Sequence, residues 1–271
     1  SAANLTSQDV FIGGAGIDRL IITGGGIVPV GAFAGMSGIE VLRIDGGASV
    51  TLGAGFFGAG AEVHGSSADD SVNANAVSGM GVQFYSGSGN DTLSGSSQVD
   101  IFAFKGTDLT SGDVIDGRNG QDRVELDGAT VTGGSLANVT NVERVRLKNS
   151  SDVTLTDADL GSVTQIDLLT GGNRVDASAL VARQVLVVGG TGSDTVIGGA
   201  KGDVLHIAGA EISASDTFTG GAGTDTLRIY AGGTVTAAEL AGVSEIGRLQ
   251  LPNGGSVEIP DGILSGPAAL T

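Results

Sequence analysis

Aspartates spaced nine residues apart constrain this chain more than any other feature. The pairs are Asp9 and Asp18, Asp91 and Asp100, Asp113 and Asp122, Asp194 and Asp203, and Asp216 and Asp225. Each second Asp follows a Gly-bearing lead and precedes a large apolar residue two positions on, such as Leu20, Phe102 or Leu227. A slower rhythm overlies this one. Asp91 to Asp113 and Asp194 to Asp216 are both 22 residues, and Asp70 to Asp91 is 21. A third step is longer still: Asp91 to Asp194 and Asp122 to Asp225 are both 103. Internal repeats on these scales demand an architecture in which one small unit is stacked many times.

Between the aspartates lie short apolar segments. "IDRLII" at 17–22 is followed one period later by "IEVLRI" at 39–44, and "TDTLRI" at 224–229 by "EIGRLQL" at 245–251. A second set runs through "SVTLGA" at 49–54, "SVNANA" at 71–76 and "DVTLTD" at 152–157. Alternation with period two, bounded by Gly, Asn, Asp and Ser, reads as strand. No stretch sustains a helical pattern, and "DADLGSV" at 157–163 holds one turn at most. Two strands per period without hairpin signals predict an all-β parallel β-solenoid of about 12 coils of 21–22 residues. Leu20 is expected to stack on Leu42 within it. A third short sheet fits the same rhythm. The expected organisation is one continuous solenoid over 1–271, built from repeats at 9–112 and 113–215 and a truncated 216–271. The chain is therefore expected to be a fragment of a longer repeat protein.

Composition narrows what such a coil can do. With 49 Gly in 271 residues but only 4 Pro and no third-position Gly period, collagen is excluded. Hydrophobic residues reach 40%, too many for a disordered acidic chain, while 8 Phe and no Trp suit a thin core. A net charge of −17 argues against nucleic acid, which requires clustered Lys and Arg. No apolar run approaches the length of a membrane-spanning helix, so no membrane insertion is expected. With no Cys, disulfides and thiolate metal sites are impossible.

The corners carry the chemistry. Six-residue turns ending in Asp recur, and each offers backbone carbonyls freed by Gly together with one carboxylate. The candidate metal ligands are Gly13, Ala15, Gly16 and Asp18; Gly87, Gly89 and Asp91; Gly117, Asn119, Gly120 and Asp122; Gly189, Thr191, Gly192 and Asp194; and Gly220, Ala222, Gly223 and Asp225. Asp9, Asp70, Asp100, Asp113, Asp216, and the Gly198, Ala200 and Asp203 turn extend the set. Stacking brings Asp91 over Asp113, Asp100 over Asp122, Asp194 over Asp216 and Asp203 over Asp225. Carboxylates that close repel each other without a cation between them. A hard cation taking six to eight oxygens fits, and Ca²⁺ is the natural choice. Glu40 and Glu143 follow Asp18 and Asp122 one coil later and are either further ligands or exposed. His64 and His206, the two histidines, are expected on the surface, and no catalytic residue is assigned.

"GGAGIDRLI" at 13–21, "GGTGSDTVI" at 189–197 and "GGAGTDTLR" at 220–228 resemble the nonapeptide of RTX proteins, G-G-x-G-x-D-x-U-x, with U a large apolar residue. "GSSADDSVN" at 65–73, "GSSQVDIFA" at 95–103 and "DLTSGDVID" at 108–116 are degenerate forms. The resemblance implies a right-handed parallel β-roll with Ca²⁺ in its turns, type I secretion, and folding on meeting external calcium. Coils such as "LANVTNVERVRL" at 136–147 resemble those of RTX-type S-layer proteins and large adhesins. A standard β-roll coil has 18 residues, so the 21–22 here put extra residues into longer turns. The resemblance implies a non-catalytic, calcium-dependent structural segment at the outer cell surface, whose partners are copies of itself or other parts of a longer protein. A calcium-binding carrier module of a secreted enzyme is the alternative. A β-helical enzyme on polysaccharide is disfavoured, because no H-E-x-x-H or G-x-S-x-G motif is present and the repeats hold no privileged position.

Overall fold

The computed structural model describes residues 1–230 and 233–270, the last six of these by backbone alone. It is all-β, a parallel β-solenoid of about 11 turns, with almost no helix. The chain forms two compact units: Ser1–Glu125 with Ser135–Glu143, and Leu126–Gly134 with Arg144–Thr271.

In the first unit, strands Arg19–Thr23, Ile39–Asp45, Phe57–His64, Gln83–Tyr85 and Ile101–Gly106 stack in parallel, one from each turn. Gly26–Val28, Ala48–Thr51, Ser71–Asn73, Thr92–Ser94, Val114–Asp116 and Val139–Thr140 make a second parallel stack. The other unit repeats the plan. Arg144–Lys148, Gln165–Leu168, Leu186–Val188, Val204–Ala208, Thr226–Tyr230 and Ile246–Gln250 form one sheet. Asp152–Thr154, Arg174–Asp176, Thr195–Ile197, Thr217–Thr219 and Val243–Ser244 form the other.

Alternation decides which side chains enter the core. Ile39–Asp45 buries Ile39, Val41, Leu42 and Ile44 and exposes Arg43, and Leu20 stacks on Leu42 as expected. Each inward Leu or Ile contributes about 1.5–3 kcal/mol through the apolar surface it removes from water. The step between stacked residues varies along each unit. It is 22 from Leu20 to Leu42 and 21 from Val63 to Phe84, but 18 from Phe84 to Phe102. In the second unit it is again 18 from Val187 to Leu205, between steps of 21 and 22. So the two-nonapeptide coil does occur, once in each unit, among longer ones. At the first of these short coils the rings of Phe84 and Phe102 stack, centroids 4.9 Å apart and nearly parallel at 4°. The "DADL" segment is one 3-10 turn, Asp157–Leu160, held by a capping box between Thr156 and Asp159.

Candidate metal centres

Backbone N–H groups tie most corner aspartates to the carboxylate of the next turn. The N–H of Asp70 donates to Asp91 Oδ1 (2.9 Å), and that of Asp91 to Asp113 Oδ1 (2.8 Å). The other corner of this unit repeats it: Val82 N–H to Asp100 Oδ1, Asp100 N–H to Asp122 Oδ1 and Asp122 N–H to Glu143 Oε2. In the second unit the ladders run from Asn173 to Asp194 to Asp216, and from Val185 to Asp203 to Asp225. One carboxylate oxygen of each Asp in these ladders is thereby spent on holding the turns together, whereas Asp18 joins its ladder only as a donor, to Glu40. The expected stacked pairs do stand one turn apart, joined by an N–H rather than by facing carboxylates.

The second oxygen separates the aspartates into two kinds. Asp9 Oδ2 accepts from Thr6 N–H, Asp70 Oδ2 from Ser66 N–H and Asp100 Oδ2 from Ser96 N–H, at 2.7–2.8 Å. Asp113 Oδ2 accepts from Thr110 N–H, Asp203 Oδ2 from Gly199 N–H and Asp216 Oδ2 from Ser213 N–H, at 2.6–2.7 Å. Ser or Thr hydroxyls add to several of these bonds. Asp18, Asp91, Asp122, Asp194 and Asp225 differ: their Oδ2 atoms are buried and have no hydrogen-bond partner. All five end a G-x-x-G-x-D or S-x-x-G-x-D turn. The Gly two before the Asp takes a positive φ: 115° at Gly16, 120° at Gly89, 146° at Gly120, 128° at Gly192 and 115° at Gly223. L-residues rarely adopt this conformation, and in these turns no donor reaches hydrogen-bond geometry at Oδ2, although the Gly190 N–H still lowers Asp194 and the Ser86 hydroxyl still lowers Asp91.

A buried, unpartnered carboxylate oxygen is costly in apolar surroundings. Burial pushes Asp91 and Asp122 up to about 7, and Asp194 to about 6. The carboxyl one turn away adds to this at each: Asp113 and Asp70 at Asp91, Asp100 and Glu143 at Asp122, and Asp216 at Asp194. Burial raises Asp225 as well, and also Asp100 and Asp203 against two lowering backbone bonds each. A cation at the free oxygen would favour the ionised form instead.

Carbonyl oxygens crowd the same places. A Cβ on Gly117 would collide with the Asn141 carbonyl and stand 2.7 Å from Asp122 Oδ2. At Gly13 it would collide with the Gly38 carbonyl, with Asp18 Oδ2 at 2.8 Å. At Gly13, Gly117 and Gly220 the first glycine of the turn is thus the seat of the carboxylate five residues on, while at Gly189 the space is taken by Ile207. Among the described residues no three His, Cys, Asp or Glu side chains gather into a metal cluster. The donors are single carboxylate oxygens beside backbone carbonyls, an all-oxygen set that fits Ca²⁺ and not a softer metal.

Glu40 and Glu143 take the place of the next aspartate in the ladder, accepting the N–H groups of Asp18 and Asp122. Neither histidine enters a corner. His64 stacks on Tyr85 (4.6 Å) with its Nε2 3.1 Å from Glu62 Oε2, and His206 packs edge-on against Tyr230. The carbonyls of Gly38, Asn141 and Glu245 escaped the sequence reading, since no side-chain pattern reports where a carbonyl points.

The family model described as RTX calcium-binding nonapeptide repeat (4 copies) matches residues 83–103, 187–206 and 213–232. Those spans hold Asp91, Asp100, Asp194, Asp203, Asp216 and Asp225, and leave Asp18, Asp70, Asp113 and Asp122 outside. Curated proteins and solved structures gave no match.

Proposed function

We propose, from the premise that this is a chain carrying RTX calcium-binding repeats, that it is a non-catalytic, calcium-dependent structural segment of a secreted bacterial cell-surface protein of the S-layer or adhesin kind. The repeats indicate that the chain binds Ca²⁺ in a β-solenoid. The reading adds where the ions go and what they do. They engage the turns of Asp18, Asp91, Asp122, Asp194 and Asp225, each through the free Oδ2 and neighbouring carbonyls. One observation carries this: the five buried carboxylate oxygens without a partner all fall in turns with Gly two residues before the Asp.

Calcium supplies positive charge and oxygen bonds at those corners. The chain's own residues do the rest. The N–H ladder fixes the carboxylates of Asp91, Asp122, Asp194 and Asp225 in register, and the turn with its positive-φ glycine leaves Oδ2 without a hydrogen-bond partner. Binding to the folded form alone makes calcium part of the folding free energy. A segment folded in this way supplies length and rigidity to a longer protein, and its partners are copies of itself or neighbouring parts of that protein. The net charge of −17 is consistent with an extracellular surface rich in divalent cations. Among the described residues no helix is long and apolar enough to cross a membrane.

Isothermal calorimetry tests the reading. Calcium titrated into the chelator-treated chain is expected to bind at several sites per chain with release of protons from the buried carboxyls. No heat and no bound metal at about 1 mM calcium, the weak end for extracellular modules, would sink it.

A further inference from the structure

The five free carboxylates stand in two settings. Asp91 and Asp194 lie inside a run, with another corner aspartate, Asp113 or Asp216, one turn on. Asp18, Asp122 and Asp225 end a run. The turn that follows holds no nonapeptide: it reads "MSGIE" at 36–40, "VTNVE" at 139–143 and "VSEIG" at 243–247. We infer that these three junctions are a second kind of calcium site, in which the free Asp oxygen is complemented by the backbone carbonyl of Gly38, Asn141 or Glu245. The inference rests on the calcium reading above and extends it to partners outside the nonapeptide.

Asp122 and Asp225 are at most 2% exposed, and each aims an unpartnered Oδ2 into its junction. The carbonyls of Asn141 and Glu245 crowd Gly117 and Gly220, the first residues of the same two turns. The backbone at the three partner residues is left-handed: φ is 66° at Gly38, 53° at Asn141 and 60° at Glu245. These positions are 103 and 104 residues apart, so the conformation belongs to the repeat. Only one of the three is Gly. Glu in particular has no preference for this region, and an ordinary side chain adopts it against a steric penalty. Where the next turn is another Gly-Asp turn, the carbonyl comes from Ser86, Gly117 or Gly220, and none of these has a positive φ. The left-handed residue therefore marks the junctions specifically.

A carboxylate from the following turn also reaches each junction. Glu40 and Glu143 accept from the N–H of Asp18 and Asp122, and Glu245 Oε2 accepts from Gly221 N–H at 3.1 Å. The asparagine side chain at position 141 is anchored apart from the site, donating to Asp116 Oδ1 at 2.7 Å, which leaves its carbonyl free to turn inward. An ion held this way ties the last Gly-Asp turn of a run to the apolar coil after it.

The test counts calcium on the full chain after gel filtration in calcium-containing buffer, by atomic emission. Asp122→Asn and Asp225→Asn keep the Oδ1 acceptor and remove the charge. Each is expected to lower the count by one ion per chain, as are Asp91→Asn and Asp194→Asn. If only the Asp91 and Asp194 variants lose an ion, the junction sites are refuted while calcium binding in the runs stands. If the parent chain itself holds no calcium, both readings fall together. Asn141→Val and Asn141→Gly then isolate the left-handed residue. The valine variant is expected to bind about tenfold more weakly at one site, in line with the penalty for a branched side chain there, and the glycine variant to bind as the parent does. A valine variant that loses equal stability in calcium and in chelator, with unchanged affinity, would show that the bend serves the fold alone.

Discussion

Asp91 and Asp100 are nine residues apart, equally buried at 0% exposure, and each takes the N–H of a neighbouring turn on Oδ1. They differ in one atom. Asp100 Oδ2 is satisfied by the N–H and hydroxyl of Ser96, whereas Asp91 Oδ2 has no hydrogen-bond partner, the Ser86 hydroxyl lowering the carboxyl without closing it. The difference traces to the lead: "GSSQVD" keeps a serine four residues before its Asp, and "SGSGND" puts Gly87 there and a positive-φ Gly89 two before the Asp. The same contrast recurs between Asp194 and Asp203, where "GGAKGD" moves the glycine one place and frees Gly199 N–H to close the carboxylate. Identical residues on an identical period thus become either a finished structural bond or an unfinished one that needs a cation.

The contrast can be broken most directly by removing calcium. Melting in EDTA is expected to fall far below melting in calcium, since each site saturated at a hundred times its Kd adds about 2.7 kcal/mol. Coincident melting curves in the two buffers would show that the unfinished carboxylates are tolerated as they are. Next in size is a paired substitution. Asp100→Asn sets an amide donor against Ser96 N–H and is expected to cost about 1–3 kcal/mol in calcium and in EDTA alike. Asp91→Asn is expected to be near neutral or stabilising in EDTA, where it removes a buried uncompensated acid, and to cancel the calcium gain of its site. Equal losses for both in EDTA would erase the distinction.

Acidity sharpens it further. Asp91 and Asp122 in the folded chain titrate near 7 and Asp194 near 6, against 3.8 as the reference value. Between these values the folded chain without calcium holds protons that the unfolded chain has released. Its stability is then fully present below about 3.8 and declines as pH rises towards 7. The EDTA melting temperature should be higher at about pH 5 than at about pH 8. In calcium the order should reverse, because protons compete for the same oxygens. The smallest effect belongs to the outer face: Arg43→Ala, which removes an exposed 2.7 Å pair with Asp45, is expected to change stability by less than about 1 kcal/mol.

Much of the fold was legible because the periods of strand and turn are written in residue types that repeat: Leu20 over Leu42 follows from the rhythm alone. The 18-residue coils were not. Counting runs from aspartate to aspartate, and at the short coils the earlier corner holds Val82 or Val185 instead, 18 residues before Asp100 or Asp203, in step with Phe84 on Phe102. The glycine pattern already separated three of the five unfinished turns as full nonapeptides. A further signal was present: Ser or Thr three or four residues before an Asp that has no Gly two before it, as at Thr6, Ser66, Ser96, Thr110 and Ser213, accompanies a closed carboxylate, whereas Ser88 and Thr191, in turns with that Gly, leave theirs open. The junction carbonyls had no such signature, because Gly38, Asn141 and Glu245 share a backbone angle and no side-chain chemistry.

The N–H-to-carboxylate ladder has a mechanical consequence. Within a unit, tension along the stacking direction passes from turn to turn through links in series, each made of short strand pairings plus a clamp such as Asp70 to Asp91 to Asp113. Links in series do not share a load, so the weakest yields first and its neighbours stay whole. Each turn of 18 to 22 residues that gives way pays out about 60–80 Å of slack chain. A corner closed by its own serine keeps its clamp in any medium, while one completed by an ion sets its breaking force by the calcium around it. Such a segment is a tether whose yield points are graded by its surroundings.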